Sequence, residues 1–463
     1  MLHPRPEGLW TESSTACELS VGVQVCTHPA EFSRTASRAA ARLRVRAFVR
    51  SFQVPSDSPQ GLRPPFARRA FGVAQSSRIL MPQSTALSVL DTARTLAADV
   101  VAPHAAAVDA DARFPNEAMT ALGEAGLLGL QVDPALGGLG LGPRAFAQVV
   151  EELATACGST AMVYVMHVTA LQAIASSTTL GGRDDILKSA AAGRHLTTLA
   201  FSERGSRSHF WAPVSRLAAE GDGFVTNATK SWITSANHAD SYVASAQAPG
   251  AASPMESTIY LARRGSPGVK ASGRFDGLGL RGNDSAPVEF KEVKVPANDL
   301  VSAQGEGANM MLGVVLPWFC IGTAAMANGL ARAAVAITAG HLAGTGFEHT
   351  GTALRDLPTL RARIAEMSVR TEQARALLTT TLGELENPTE STPLYVLQTR
   401  LASLEAARAV TDLAMKACGG AAFSRQLGLE RVFRDAQAGW VMAPTADHLL
   451  EFTGRALTGL PLF

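Results

Sequence analysis

Apolar residues recur at helical spacing from Ser84 onward. Leu87, Leu90, Ala97 and Val101 share one face, and Pro103 is expected to interrupt the helix they form. A second helix is predicted over about 115–122. Pro115 sits in its first turn, where a missing N–H costs nothing, and Gly123 is its expected stop. The Gly-rich run 134–142 follows no strand and lies in no βαβ unit, so it reads as a flexible turn rather than a dinucleotide fingerprint. Helices are predicted near 144–157, with Phe146, Val149, Val150 and Leu153 on the apolar face, and near 160–175. Residues 195–300 change period. Short β-branched and aromatic runs lie near 241–247, 256–262, 268–273 and 286–295. Gly221-Asp222-Gly223 joins 214–219 to 224–227 as a hairpin. From Gly307 the helical period returns in four or five long segments, broken at Gly344–Gly351, Pro358, Pro388 and Pro393.

This order predicts an α+β protein, mostly α. A helical N-terminal domain covers 81–194, a small central antiparallel β-domain 195–304, and a four-helix-bundle-like C-terminal domain 305–463. Residues 1–80 differ from the rest. They hold eleven Arg, no Lys, and prolines at 55, 59, 64 and 65. Arg34, Arg38, Arg42, Arg44, Arg46 and Arg50 could make a basic amphipathic helix, but Glu7, Glu12, Glu18 and Glu31 precede it, unlike a transit peptide. The expectation is a disordered or spuriously translated extension, with the start near Met81.

Composition excludes some classes. With 41 basic and 40 acidic residues the chain carries no charge footprint for nucleic acid or an anionic membrane. No run of eighteen apolar residues occurs, so no transmembrane helix is expected. The five cysteines are scattered without metal-ligand spacing, which predicts a reduced, cytoplasmic protein and no metal site.

The candidate chemistry begins at Phe201-Ser202-Glu203 and, one hairpin later, Lys230-Ser231-Trp232-Ile233-Thr234. Strand alternation would put Trp232 and Thr234 on one face, although Trp232 as plain core is an adequate reading by itself. Other distinctive stretches are Phe114-Pro115, Ala125–Gly129, Leu278–Ser285, Phe290–Pro296, Arg434-Asp435-Ala436 and Met442-Ala443-Pro444-Thr445. Together, over about 84–460, they resemble the acyl-CoA dehydrogenase family, which has the same three-part order and holds flavin between its domains.

The resemblance implies an FAD-dependent oxidoreductase, a homotetramer or dimer, that passes electrons to an acceptor flavoprotein. Trp232 would cover the flavin ring, Thr234 would donate to N5, and Ser202 would serve the pyrimidine edge. Phe347, Lys416, Gly419, Gly420 and Thr445 match further cofactor positions. Ser208 matches a contact to the CoA arm, and Trp318, Phe319 and Met442 would line an apolar substrate pocket.

The departures matter as much. The family's catalytic glutamate falls at Ala443, and its alternative position at Phe319. Pro317 and Cys320 replace a polar pair that grips the ligand, and Gly344 replaces an arginine that grips the FAD diphosphate. Lys416 remains as a point charge, and FMN stays open as the alternative cofactor. Arg204, Arg207 and His209 add positive charge to the loop after Ser202. Asp447 and Glu451 follow Ala443 on the last helix as charges expected to be solvated. Three readings stay open. One is an acyl-thioester dehydrogenase with a displaced base. Another is a monooxygenase of the same fold, fed by a flavin reductase, using His167 and Ser202 near flavin C4a. The third is a non-catalytic flavin-binding protein.

Overall fold

The computed structural model describes residues 83–462. The expectations for residues 1–80 lie outside the described residues. The first helix, α1 (Gln83–Leu96), runs through a π-helical turn (Ala97–Val101) into α2 (Ala102–Ala110). Pro103 therefore does not interrupt the helix. A proline lacks the N–H of its own turn and crowds the carbonyl one turn back, and the widened π turn just before it removes both conflicts. The same device recurs at Pro317, which follows the π turn Met311–Val315.

Helix α3 (Asn116–Glu124) starts where predicted but does not stop at Gly123. The stop is Gly126, whose φ of 72° is left-handed and favours glycine. Helices α4 (Pro143–Ala156), α5 (Gly158–Ala175) and α6 (Arg183–Ala191) complete the first helical group. Helix α5 is apolar on every side and correspondingly buried on every side.

The β-region is not wholly antiparallel. Strands β1 (Thr197–Ala200), β4 (Ser241–Gln247) and β5 (Ser257–Arg263) form one sheet in which β1 and β4 run parallel, Thr197 facing Ser241. Strands β2 (Leu217–Glu220), β3 (Gly223–Ile233), β6 (Val269–Ala271) and β7 (Ala286–Pro296) form an antiparallel second sheet in the order β2-β3-β7-β6. The predicted hairpin is there, with Glu220 opposite Gly223 across Gly221-Asp222. The parallel pair arises because the chain leaves the first sheet after β1, builds the hairpin in the second, and returns through β4. Nothing local in a sequence encodes such a crossover.

After a short helix, α7 (Gly307–Met310), the chain forms α8 (Leu316–Gly344), a minor two-stranded ribbon of β8 (Gly346–Phe347) and β9 (Thr352–Ala353), then α9 (Pro358–Glu386) and α10 (Thr392–Cys418). Two shorter helices close it, α11 (Leu429–Val441) and α12 (Ala446–Thr458). The stretch Gly307–Gly344 is 38 residues long and apolar enough to cross a membrane, which the search for an uninterrupted apolar run missed. Two thirds of its most apolar window is buried inside this fold, 67%, where α8 packs against α4, α9 and α10. One apolar core joins the two helical groups and a second fills the β-region.

Candidate functional site: an aromatic-walled cavity

A cavity of about 1240 Å³ opens where the β-region meets both helical groups. Its walls come from α5 (Met162, Met166), the loop after β1 (Ser202–Ser208), the end of β3 (Trp232, Thr234), the start of α8 (Phe319) and the segment joining α11 to α12 (Met442, Ala443, Thr445). The fold thus brings Ser202, Ser208, Trp232, Thr234, Phe319, Met442, Ala443 and Thr445 to one place.

Trp232 and Thr234 reach it by an irregular route. A register shift between Lys230 and Ile233 breaks the alternation of β3, and Trp232 sits at φ 57°. That left-handed backbone costs a non-glycine residue on the order of 1–3 kcal/mol. It leaves the indole 70% exposed on the cavity wall, while Thr234 is buried with its hydroxyl 3.1 Å from that of Ser285. The expected sharing of one strand face is therefore corrected. The two side chains meet the same cavity because the strand is bulged.

Beneath them lies an ion pair that the sequence did not advertise. Lys230, fully buried, donates to Glu203 Oε1 at 2.5 Å and to the Ser245 carbonyl at 2.6 Å. Glu203 Oε2 accepts the backbone N–H groups of Val214 and Ser215 at 2.7 and 2.8 Å, and Oε1 accepts the Ser215 hydroxyl. Burial pulls the Lys230 ammonium below its ordinary pKa. Burial also pushes the Glu203 carboxyl up, but Lys230 and the three donors more than offset it and hold it below the usual carboxylate range. The pair anchors the loop 202–208 to β3.

Among the described residues lining the cavity Glu203 is the one carboxylate, and it is consumed in this pair. Asp447 and Glu451 are exposed and do not line the cavity. Asp435 is buried, with its carboxyl pushed up to about 7 by burial, and it accepts the Leu280 N–H at 2.6 Å. It ties α11 to the loop after β6. Gly279 makes that approach feasible, because a Cβ there would lie 2.4 Å from the Arg434 carbonyl. Arg434 is neutralised by Asp109 and Glu430 at 2.6 and 2.7 Å. Arg204 and Arg207 line the cavity and form no ion pair among the described residues.

Several expected site residues lie elsewhere. His167 is buried and does not line the cavity. Its Nε2 lies 2.9 Å from the Leu128 carbonyl and its Nδ1 accepts the Thr197 N–H at 3.1 Å, so both ring nitrogens are spent on tying α5 to β1. A catalytic role for His167 is therefore set aside. Trp318 packs on Phe146, ring centroids 5.4 Å apart, rather than on the cavity, because its neighbour Phe319 takes the inward face of α8. Phe347 packs on His349, Lys416 pairs with Asp412 at 2.6 Å, and Gly419 and Gly420 are exposed. None of the four lines the cavity.

The His167 geometry carries a prediction. Burial pulls its pKa down to about 4, against roughly 6.5 in an unfolded chain. Because the folded value is the lower one, His167 stabilises the fold fully above pH ~6.5, and that share is lost as pH falls toward 4. The share is about 3 kcal/mol at 1.36 kcal/mol per unit. Melting temperature against pH should fall more steeply over this window for the wild type than for His167→Gln.

The comparisons with known proteins agree with this architecture. Residues 84–194, 198–293 and 305–457 match the N-terminal, middle and C-terminal domains of acyl-CoA dehydrogenases. The cyclohex-1-ene-1-carbonyl-CoA dehydrogenase of Geobacter metallireducens is 28% identical over 80% of this chain and 96% of its own length. The bovine (Bos taurus) mitochondrial short-chain specific acyl-CoA dehydrogenase is 29% identical over 82% and 91%. The butyryl-CoA dehydrogenase of Megasphaera elsdenii has the same fold, with a TM-score of 0.76 at 22% identity over 81% of this chain and 98% of that one. By class, then, the protein is a flavoprotein oxidoreductase. It belongs to the acyl-CoA dehydrogenase family.

Proposed function

We propose that this protein oxidises an acyl thioester whose α-proton is acidic enough to leave without a dedicated carboxylate base. One observation carries this reading: the cavity is large and mostly apolar, and its sole carboxylate is locked in the Glu203–Lys230 pair. The family's base position is Ala443, whose methyl group can take no proton. A substrate with an unactivated α-carbon would therefore react slowly, because a positioned acid–base group is typically worth about 10²–10⁴ in rate.

The residues present fit a flavin ring. A 70%-exposed indole on a cavity wall is an open apolar platform, and Ser202 and Thr234 place hydroxyls beside it. When bound, the flavin supplies the hydride acceptor. The chain's own share is to cover one ring face with Trp232, hold the edge through Ser202 and Thr234, and line the substrate end with Phe319 and Met442. FAD is the form that family membership favours. An electron-transferring flavoprotein would reoxidise it, and a homo-oligomer is the expected assembly. The rival monooxygenase reading loses His167, its intended partner near the ring, since both nitrogens of that ring are engaged.

The test is to denature the purified protein and identify the released chromophore. FAD is expected, and a colourless protein that takes up no added flavin would overturn the proposal. Thr234→Val should weaken flavin binding by on the order of 1–2 kcal/mol, read by titration of flavin-free protein, because one donor is lost and Ser285 loses its partner.

A further inference from the structure

Arg400, on α10, is completely buried and forms no ion pair among the described residues. Its guanidinium donates to the Pro444 carbonyl at 2.6 Å and to the Met442 carbonyl at 3.1 Å, and its Nε has no partner. Its carbon lies 4.9 Å from the centroid of the Phe319 ring. Cys320 is the titratable group against it. Burial pushes that thiol up to about 11, so it stays protonated and supplies no counter-charge. A guanidinium does not shed its proton in proteins, so the cation persists. Phe319, Met442 and Ala443 all line the cavity. A bare positive charge thus stands one side chain behind the wall where the family's carboxylate would be. The N-terminus of α12, capped by Thr445, adds the positive end of a helix dipole at the same wall. Among the other charged groups at or beside the cavity, Arg434 is neutralised, Asp447 is exposed, and Arg204 and Arg207 line the wall from the loop after β1.

An uncompensated buried charge costs several kcal/mol, and two carbonyls return only part of that. A cavity that keeps one behind an apolar wall has low dielectric between the charge and its contents, and there it acts strongly on any charge that arrives or develops.

We propose that Arg400 is a positioning residue that makes the Phe319–Met442–Ala443 end of the cavity a subsite for negative charge on the substrate. The charge is either a fixed carboxylate or the enolate formed when the α-C–H bond breaks, its electron pair moving to the thioester oxygen and its proton passing to water. This rests on the thioester reading above and explains how a site without a free carboxylate base still favours loss of the α-proton.

The test places a reporter at the wall and needs no ligand. In Ala443→Cys, the pH dependence of iodoacetamide alkylation at the introduced thiol is read by mass spectrometry of its peptide. Apolar surroundings raise a thiol's pKa above its ordinary value of roughly 8.5, whereas nearby positive charge or a helix N-terminus lowers it. The expected value lies about one unit or more below the ordinary one. It should return by about tenfold in thiolate fraction when Arg400→Gln is added, and stay low with Arg400→Lys. An ordinary or raised value in Ala443→Cys alone overturns the proposal, even if Arg400→Gln fails to fold. A lowering that survives Arg400→Gln also overturns it and assigns the field to the remaining positive groups, the N-terminus of α12 and the cavity-lining Arg204 and Arg207.

Calorimetry with wild type and Arg400→Gln separates the two sources of charge. Selective loss of glutaryl-CoA affinity marks a carboxylate. Selective loss of the ultraviolet enolate band of bound acetoacetyl-CoA, with butyryl-CoA affinity unchanged, marks an enolate. If no thioester binds while the thiol is still lowered by Arg400, the substrate reading fails and the subsite for negative charge stands.

Discussion

Lys230→Met is expected to destabilise the protein by about 3–5 kcal/mol, because it leaves the Glu203 carboxylate buried without its counter-charge. The loss should be larger than that of an ordinary core truncation of similar size. It should also weaken flavin binding at the proposed site, since Glu203 holds the loop carrying Ser202 and Lys230 lies two residues before Trp232. The double variant Glu203→Leu with Lys230→Met should recover much of the stability, as an apolar pair leaves no charge to desolvate. Denaturant melts of both proteins check this. A single variant within 1 kcal/mol of the wild type would mean that the pair is not ionised or not dry.

Ala443→Glu is expected to raise the anaerobic reduction of bound flavin by butyryl-CoA by about 10²–10⁴, the usual worth of a positioned base. Position 443 lines the cavity and borders the carbonyls that Arg400 holds. Arg400 should depress the pKa of the new carboxyl and keep the gain toward the lower end of that range. Adding Arg400→Gln should then move it upward. No gain in either background, with the thioester shown to bind, would mean that the α-carbon does not sit at Ala443.

The fold was largely legible from periodicity. Helical periodicity located the helices and Gly221-Asp222-Gly223 the hairpin, while Pro103 and Gly123 failed as helix ends, and the matched stretches placed Trp232, Thr234, Ser202, Ser208, Phe319, Met442 and Thr445 at what proves to be one cavity. What escaped was set by non-local packing. The π turns before Pro103 and Pro317 let helices continue past prolines. The β1–β4 pairing depends on a chain crossover, and His167 looked available until Leu128 and Thr197 claimed both its nitrogens. Arg400 left a readable trace: it is a cation on the same helical stripe as Val396, Leu397 and Leu404, all buried. A charge on a buried stripe calls for a partner, and its partners are the Met442 and Pro444 carbonyls on either side of Ala443.

The most direct test is the first-turnover rate of flavin reduction in the wild-type protein, measured anaerobically with butyryl-CoA and with 2-phenylbutanoyl-CoA, whose α-proton the aryl group acidifies. The expected result is slow reduction by butyryl-CoA and reduction by the aryl thioester faster by about 10² or more, the scale of the missing base. Rapid bleaching by butyryl-CoA, equal to that by the activated thioester, would contradict it and require a base that the cavity walls do not contain.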